Sequence, residues 1–415
     1  MALFASVLNA LPLQGPYPLT SNRLLEYFGG GPVSSGVRVT EDTVRGLPAA
    51  YACNRILAEG VATLPLAVFE RMEPRGRRRA TEQPLYDLLH SEPNPIMSSF
   101  KLRETLQGHL GFRGNAFCDI ELSPRTGVPT ALWPLRPDRM QRPVRSDDGR
   151  ALIYPYTLPS GEVKGLPSAR ILHLRGLSDD GVWGYAPITV FREAFGQALA
   201  AREYGSRFFG QGARPGGVLQ AKGKLSDEVA DRMARSWSVA HEGLSNTHRV
   251  AVLEEGVEWK SIGMSNEDAQ FIELQQFNLG DAARIWNIKP HKIADLSRAT
   301  FSNIEQLAIE HVTDTLMPWL VNWEQAMDMA LIRKQDRGRF YTKHLINGLL
   351  RGDSAARSAY YTAGLNGGWL SPDDIRELED MNPLPDGLGD VYFRSLNMVV
   401  AGQEKAAPLP AAAVA

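Results

Sequence analysis

The spacing of apolar positions changes several times along the chain, and each change predicts an element. In VTEDTVRGLPAAYACNRILAEGVATLPLAVFER, Val44, Leu47, Ala50, Tyr51, Asn54, Ile56 and Ala58 recur at mostly helical intervals. The Leu64-Pro65 step turns that helix into a strand, Leu66 to Glu70. EPRGRRRATEQP reads as a turn between elements, and PLYDLLHSEPNP as a short helix closed by two prolines. From Phe112 to Leu174 the chain reads as short strands: NAFCDIEL, PTALWPL, ALIYPYTL and RILHLRG. SPRTG, SDDG and PSG are turn-formers between them. This first region reads as α+β.

The middle of the chain changes character. Pro187 occupies the first turn of a helix that runs to about Phe209, where glycines end it. GGVLQAKG is strand-like, and LSDEVADRMARSWSVAHEG is helical with Ser226 as its N-cap. RVAVLEEG and VEWKSIG form a hairpin through Glu254-Glu255-Gly256, and a second helix, about Glu267 to Asn287, follows Ser265 as its cap. At 1.5 Å per residue the two flanking helices are roughly 30–35 Å long. They bracket a βαββ module of about 50 residues, the size of one small folded insert.

Beyond a short polar loop, Ile304, Leu307, Ala308, His311, Thr315, Trp319, Trp323, Met327 and Ala330 trace one helical stripe. Pro318 lies inside it, removes a backbone hydrogen bond and predicts a kink. Ser302 and Glu305 fit S-x-x-E, a capping box for this helix. A strand (RFYTKHLI) and a helical C-terminal segment follow, with Ser371 capping the last short helix.

A length of 415 residues predicts about two to three domains. With 43% hydrophobic and 22% charged residues the chain has material for more than one core. Net charge is −2, so no overall basic field favours nucleic acid, and contact with DNA must be local or weak. Two cysteines, Cys53 and Cys118, exclude a disulfide framework and fit a reducing compartment. The apolar start MALFASVLNALPLQG lacks a basic leader region and reads as an arm or docking helix. No apolar run approaches the roughly 18 residues of a membrane span. The Ala/Pro tail EKAAPLPAAAVA is expected to be disordered.

Catalytic signatures are scarce. The chain has no G-x-x-x-x-G-K-[ST], no G-x-G-x-x-G after a strand, no H-E-x-x-H, no paired C-x-x-C and no G-x-S-x-G. The best enzymatic candidate is Cys118 with His173, because a nucleophilic thiol needs a nearby base. Each lies in a strand-like run, so a buried structural position competes with a hydrolase or assembly-protease role. Arg75, Arg77, Arg78 and Arg79 read as a solvated turn, with a phosphate or partner contact as the alternative. The RGD at Arg351 to Asp353 is the kind of short match that arises by chance. The carboxylate pairs Asp147-Asp148, Glu254-Glu255 and Asp373-Asp374 fit turns or helix starts.

The order of the pieces is more specific than any one of them. From about Val39 to Met398 the chain resembles the portal proteins of tailed bacteriophages of the long-tailed type. The resemblance is carried, in order, by AAYACNRILAEGVATLPLAVFER, PLYDLLHSEPNP, RGNAFCDI, LWPLRPDRM, ILHLRG, GVWGYAPI, NIKPHKIADLSRATFSNIEQ, LMPWLVNWEQAM and LLRGD. It implies an α+β portal fold: an N-terminal arm (1–34), a wing (35–186), stem helices (187–212 and 265–288) around a clip (213–264), a tunnel loop (289–302), a long kinked helix with a wing strand (303–350), a helical crown (351–398) and a tail (399–415).

The resemblance also implies a function: a dodecameric ring at one capsid vertex through which double-stranded DNA is packaged and ejected. It implies no catalysis, no cofactor and no metal. Its implied partners are the terminase large subunit, the major capsid protein and the head-tail connector or adaptor, with no membrane. The implied location is the virion, with the host cytoplasm during assembly. Twelve helices packed at about 10 Å give a circumference near 120 Å, and subtracting helix thickness leaves a bore of roughly 28 Å, wide enough for duplex DNA. A sliding duplex requires weak phosphate binding. By resemblance Glu267, Asp268, Glu273 and Asp281 line an acidic stem, with an ordinary solvated helix face as the alternative, and Lys289, His291, Lys292, Ser297, Arg298 and Thr300 form the DNA-channel loop. Lys289, His291 and Lys292 also follow a helix C-terminus, where cations complement its dipole, the alternative to DNA contact. Asp227, Glu228, Asp231, Arg232 and Arg235 are the corresponding docking candidates in the clip. A third reading, a monomeric DNA-binding protein, predicts tight, salt-sensitive affinity for free duplex.

Overall fold

The computed structural model describes residues 33–147, 149, 151–210, 217–220, 258–261, 279–293, 309–346, 354–379 and 381–393, with Leu307 and scattered positions from 226 to 235. The chain divides into two compact units, Met1–Ala299 with Thr313–His344, and Thr300–Val312 with Leu345–Ala415.

In the first unit the long helical pattern breaks at Gly46-Leu47 into α1 (Glu41–Arg45) and α2 (Pro48–Thr63). Pro48 starts α2 because the first helical position has no N–H to satisfy. Cys53, Leu57 and Val61 form its fully buried stripe, whereas Tyr51 is exposed. Strand β1 (Leu66–Arg71) follows as expected. The arginine run corrects the sequence reading. Arg77–Arg79 is not a plain turn but an edge strand, β2, antiparallel to β1. Arg78 pairs there with Glu82 and with the buried Glu70, which also holds Arg339.

After α3 (Pro84–His90) comes an element the sequence reading did not contain, α4 (Ser99–Arg113). Ser98 caps it, and Leu102, Leu106 and Leu110 recur at i, i+4 and i+8 on its buried face. Arg103 and Gln107 are buried beside them and dilute the apolar stripe. Their partners explain their position. Arg103 donates to the Leu64 carbonyl. Gln107 accepts from the Trp323 indole at 2.7 Å. Burial lowers the Arg103 pKa to about 10.

Strands β3 (Asn115–Leu122), β4 (Pro129–Leu135) and β8 (Ile171–Arg175) form one antiparallel sheet in the order β4-β3-β8. A second sheet holds β5 (Val144–Arg145), β6 (Leu152–Thr157) and β7 (Val163–Pro167). The expected single helix from Pro187 is two, α5 (Pro187–Val190) and α6 (Arg192–Gly210), because Phe191 leaves helical geometry at φ −102°, ψ 24°. In the predicted insert, β9 (Gly217–Gln220) pairs antiparallel with β10 (Glu258–Ser261).

The long helix meets Pro318 differently from a simple kink. A π-helical stretch, His311–Leu316, runs directly into α7 (Met317–Leu331). Pro318 thus falls in the first α turn after the widened stretch, where its missing N–H costs least. The buried positions of α7 are Leu320, Trp323, Met327 and Leu331, so the stripe runs one residue off the Trp319 and Ala330 positions expected for it. Strand β11 (Phe340–His344) completes the order β11-β1-β2. Helix α4 packs on α2 and β3, and α7 on β8 and β11, so the core lies between helices and small sheets.

The second unit contains α8 (Ser354–Gly367) and α9 (Pro372–Leu378). Ser371 caps α9 as expected: its hydroxyl accepts from Asp374 N–H at 3.0 Å, and Asp374 accepts from Ser371 N–H at 2.7 Å. Glu379 pairs with Arg357 and accepts from Tyr361 Oη, which ties the two helices together.

Candidate functional site

Helix α6 leads toward the predicted insert and helical residues 279–285 lead back from it, and both ends are tied to the C-terminal end of α4. The helix stops at Gly114, whose φ of 66° lies in the left-handed region. A Cβ there would lie 1.8 Å from the Tyr185 carbonyl oxygen. The Gly114 carbonyl accepts from Gly176 N–H at 2.8 Å, and a Cβ on Gly184 would lie 2.1 Å from that same oxygen. Three glycines therefore let three segments cross at backbone contact. Tyr185 and Ala186 lead directly from this crossing to Pro187 of α5.

The neighbouring side chain locks the crossing. Asn115 Oδ1 accepts from Gly184 N–H at 2.8 Å, and Asn115 Nδ2 donates to the Gly184 carbonyl at 2.7 Å. His173 Nε2 lies 3.0 Å from Asn115 Oδ1, which can only accept, so His173 carries its proton on Nε2. His173 Nδ1 then accepts from Arg175 Nε at 3.1 Å and lies 3.2 Å from Tyr154 Oη. Burial, with the adjacent Arg175 charge, lowers the His173 pKa to about 2, so the ring is neutral.

This geometry overturns the Cys118–His173 pair. In the β3–β8 register Phe117 faces His173 and Cys118 faces Leu172. Successive strand side chains point to opposite faces, so Cys118 turns away from the imidazole. The His173 ring instead lies on Phe117, with centroids 4.4 Å apart. Cys118 is fully buried, and burial with the nearby Asp119 charge pushes its thiol well above the ordinary range. A buried thiol that stays protonated and turns away from His173 is not a nucleophile activated by it.

The second root is Trp286. Residues 279–285 are helical, and the helix closes with Asn287 at φ 52° and a bond from Ile288 N–H to the Ala283 carbonyl at 2.8 Å. The buried Trp286 indole donates to the Gly111 carbonyl at 2.8 Å. Its ring meets Phe112 edge-on at 5.9 Å and Phe195 of α6 at 6.0 Å. A Cβ on Gly111 would lie 1.9 Å from Asn54 Oδ1, so a larger residue there would have to displace that side chain. The chain thus leaves past Gly114 at Tyr185 and returns at Trp286 against Gly111, with Phe195 of α6 packed on the Trp286 ring.

The channel-loop candidates start just beyond. Asn287 Nδ2 donates to the Asp314 carbonyl at 3.0 Å, and Thr315 Oγ1 donates to the Asn287 carbonyl at 2.6 Å. Lys289 pairs with Asp314 at 3.3 Å, so this cation is held at the loop root. A 3₁₀ turn, Pro290–Ile293, then carries half-buried His291 and exposed Lys292. Asp281 pairs with Arg284 at 2.7 Å, one turn along its helix. In the insert, Glu228, Asp231, Arg232 and Arg235 are exposed, and Arg235 Nε donates to the Asp231 carbonyl. Glu267, Asp268, Glu273, Ser297, Arg298, Thr300, Ser302, Glu305 and Asp227 lie outside the described residues, as does the RGD tripeptide.

Sequence reasoning singled out the loop but missed its supports, Gly111, Gly114, Asn115, Gly176, Gly184 and Trp286. A signal was present. RGN and LRG each place a glycine at the end of a regular element, and GVWG adds two more in the loop that follows LRG.

The fold and these roots define a class of protein. Residues 48–380 match the phage portal protein family, and the chain belongs to that family, whose capsid-vertex channel serves DNA packaging. The probable portal protein of Streptomyces phage phiC31 is 33% identical over 388 residues, covering 91% of this chain and 84% of that protein. The portal protein of Enterobacteria phage HK97 is 29% identical over 377 residues, covering 89% of this chain and 87% of that protein. Among solved structures, a chain from the neck of a native gene transfer agent particle, computed with C12 symmetry, shares the fold at TM-score 0.58. It is 23% identical and covers 88% of this chain and all of its own.

Proposed function

We propose that this chain assembles head to tail into a ring of twelve copies at one capsid vertex, with α6 and the helix ending at Trp286 as its stem. The observation that carries the reading is the shared root at residues 111–114. The helix that leaves and the helix that returns are tied to one buried block, and β9 pairs with β10 within the excursion between them. Residues 192–210 thus lead away from this block and 279–286 lead back to it, as a stem with a clip requires. A heterologous contact closes into a ring when its rotation divides a full turn. The twelvefold symmetry of the gene transfer agent neck supports the number.

In this reading the wing spans 35–186, the clip 213–264, the tunnel loop 289–302 and the crown 351–398. Lys289, His291, Lys292, Ser297, Arg298 and Thr300 touch passing DNA, while Glu267, Asp268, Glu273 and Asp281 keep its phosphates from sticking. Exposed clip residues, Glu228, Asp231, Arg232 and Arg235 with Asp227, dock first the terminase motor and later the head-tail connector. The major capsid protein surrounds the ring, which assembles in the host cytoplasm. The chain performs no catalysis, and ATP hydrolysis belongs to the separate motor. Mass photometry with negative-stain imaging of the purified chain tests this. Rings near 550 kDa, twelve chains of 45.8 kDa, are expected. Monomers at every concentration would refute it.

A further inference from the structure

A groove of about 620 Å³ lies in the first unit between strands β6 and β8 and helix α7. Leu152, Ala326 and Met329 give it apolar walls, and Arg145 and Arg175 give it charge. Nearby arginines are neutralised: Arg142 pairs with Asp180, and Arg170 with Asp119. The two in the groove are not. Arg175 meets only neutral groups, His173, the Val182 carbonyl and Tyr154 Oη, and Arg145 has no side-chain partner among the described residues. Two uncompensated guanidinium groups in a partly apolar groove fit a carboxylate carried on a peptide with apolar side chains. A DNA duplex would satisfy the charge but leave Met329, 68% exposed, uncovered.

The second unit carries a segment of that chemistry. Met381, Leu388, Tyr392 and Phe393 are all more than half exposed around the turn Pro385–Gly387. Asp386 sits in this turn at φ 57°, exposed and with no side-chain partner among the described residues. Groove and segment are different surfaces of one chain, one in each unit. Their pairing between copies is therefore heterologous, the type that closes rings. Resting on the ring reading above, we propose that the Arg145–Arg175 groove of each copy receives the 381–393 segment of its neighbour, with Asp386 meeting the arginines.

The test uses the full chain carrying Met329→Cys and Leu388→Cys, since Cys53 and Cys118 are buried. Mild oxidation is expected to yield a ladder of covalently linked dimers, trimers and higher oligomers on a non-reducing gel. An internally bridged monomer, or no bridge, would overturn the inference. Charge exchange gives an independent readout by mass photometry. Arg145→Glu and Asp386→Arg should each raise the concentration for half-assembly about tenfold, and the double variant should recover to within about threefold of the parent. Single variants that assemble like the parent, or a double variant that does not recover, would overturn the pairing. A parent chain that forms no ring would overturn both this pairing and the ring reading, whereas parent rings with unaffected variants would overturn the pairing alone.

Discussion

The crossing at Gly114, Asn115 and His173 and the loop root at Lys289 and Asp314 lie in the same compact unit and use polar groups in opposite ways. At the crossing, every bond made by Asn115 and His173 is internal, and burial with a neighbouring cation keeps the imidazole uncharged. At the loop root Lys289 and Asp314 form a pair partly open to water. Buried polar networks hold position because each unmade bond is costly, whereas exposed pairs contribute little to stability and remain available to a passing ligand. The lesson is that polarity near a chemistry-like motif has to be read with its burial. The Cys/His pair looked catalytic and is structural, while the loop, modest in sequence, is the segment proposed to meet DNA.

Breaking the crossing should have the largest effect. Gly114→Ala places a side chain in a left-handed conformation and against the Tyr185 carbonyl, and is expected to cost about 4 kcal/mol or more. Thermal denaturation would show it as a large fall in Tm. Trp286→Ala removes the second root and should cost about 3–4 kcal/mol. Trp286→Phe keeps most of the packing but leaves the Gly111 carbonyl unpaired, for about 1–2 kcal/mol. Equal losses in the two Trp286 variants would show that the hydrogen bond, not packing, holds the root.

Acid sharpens the contrast. His173 titrates at about 2 in the fold against an ordinary value of 6.5, so its folded pKa is depressed. Its contribution to stability is complete above pH 6.5 and is lost as pH falls toward 2. The loss approaches 1.4 kcal/mol per pH unit as an upper estimate of about one proton. Chemical denaturation from pH 7 to pH 4 should therefore show a shallower acid slope in His173→Gln. Burial also lowers His109 and His344, so some slope should remain. The smallest effect is expected at the loop root. Lys289→Ala, which removes an exposed ion pair, should change stability by less than about 1 kcal/mol.

Much of the fold was legible in residue spacing. The strands at Leu66, Asn115, Pro129, Ile171 and Phe340, and the capped helix after Ser371, follow directly from alternation, turn-formers and a capping box. Helix α4 was not read because its buried face carries Arg103 and Gln107, whose partners Leu64 and Trp323 are distant in sequence. The arginine strand β2 was hidden for a related reason. Its register comes from β1 and its charge from Glu70, neither visible in three arginines alone. The stem roots rest on glycines, and a glycine's role depends on which backbone approaches it. Only the fold brings Tyr185 to Gly114 and Asn54 to Gly111.

The most direct test of the division between a rigid root and a working loop is the DNA content of particles built with Lys292→Glu and Arg298→Glu together. The account predicts rings of normal size and melting temperature that package or retain less DNA. Particles with a full genome would contradict it.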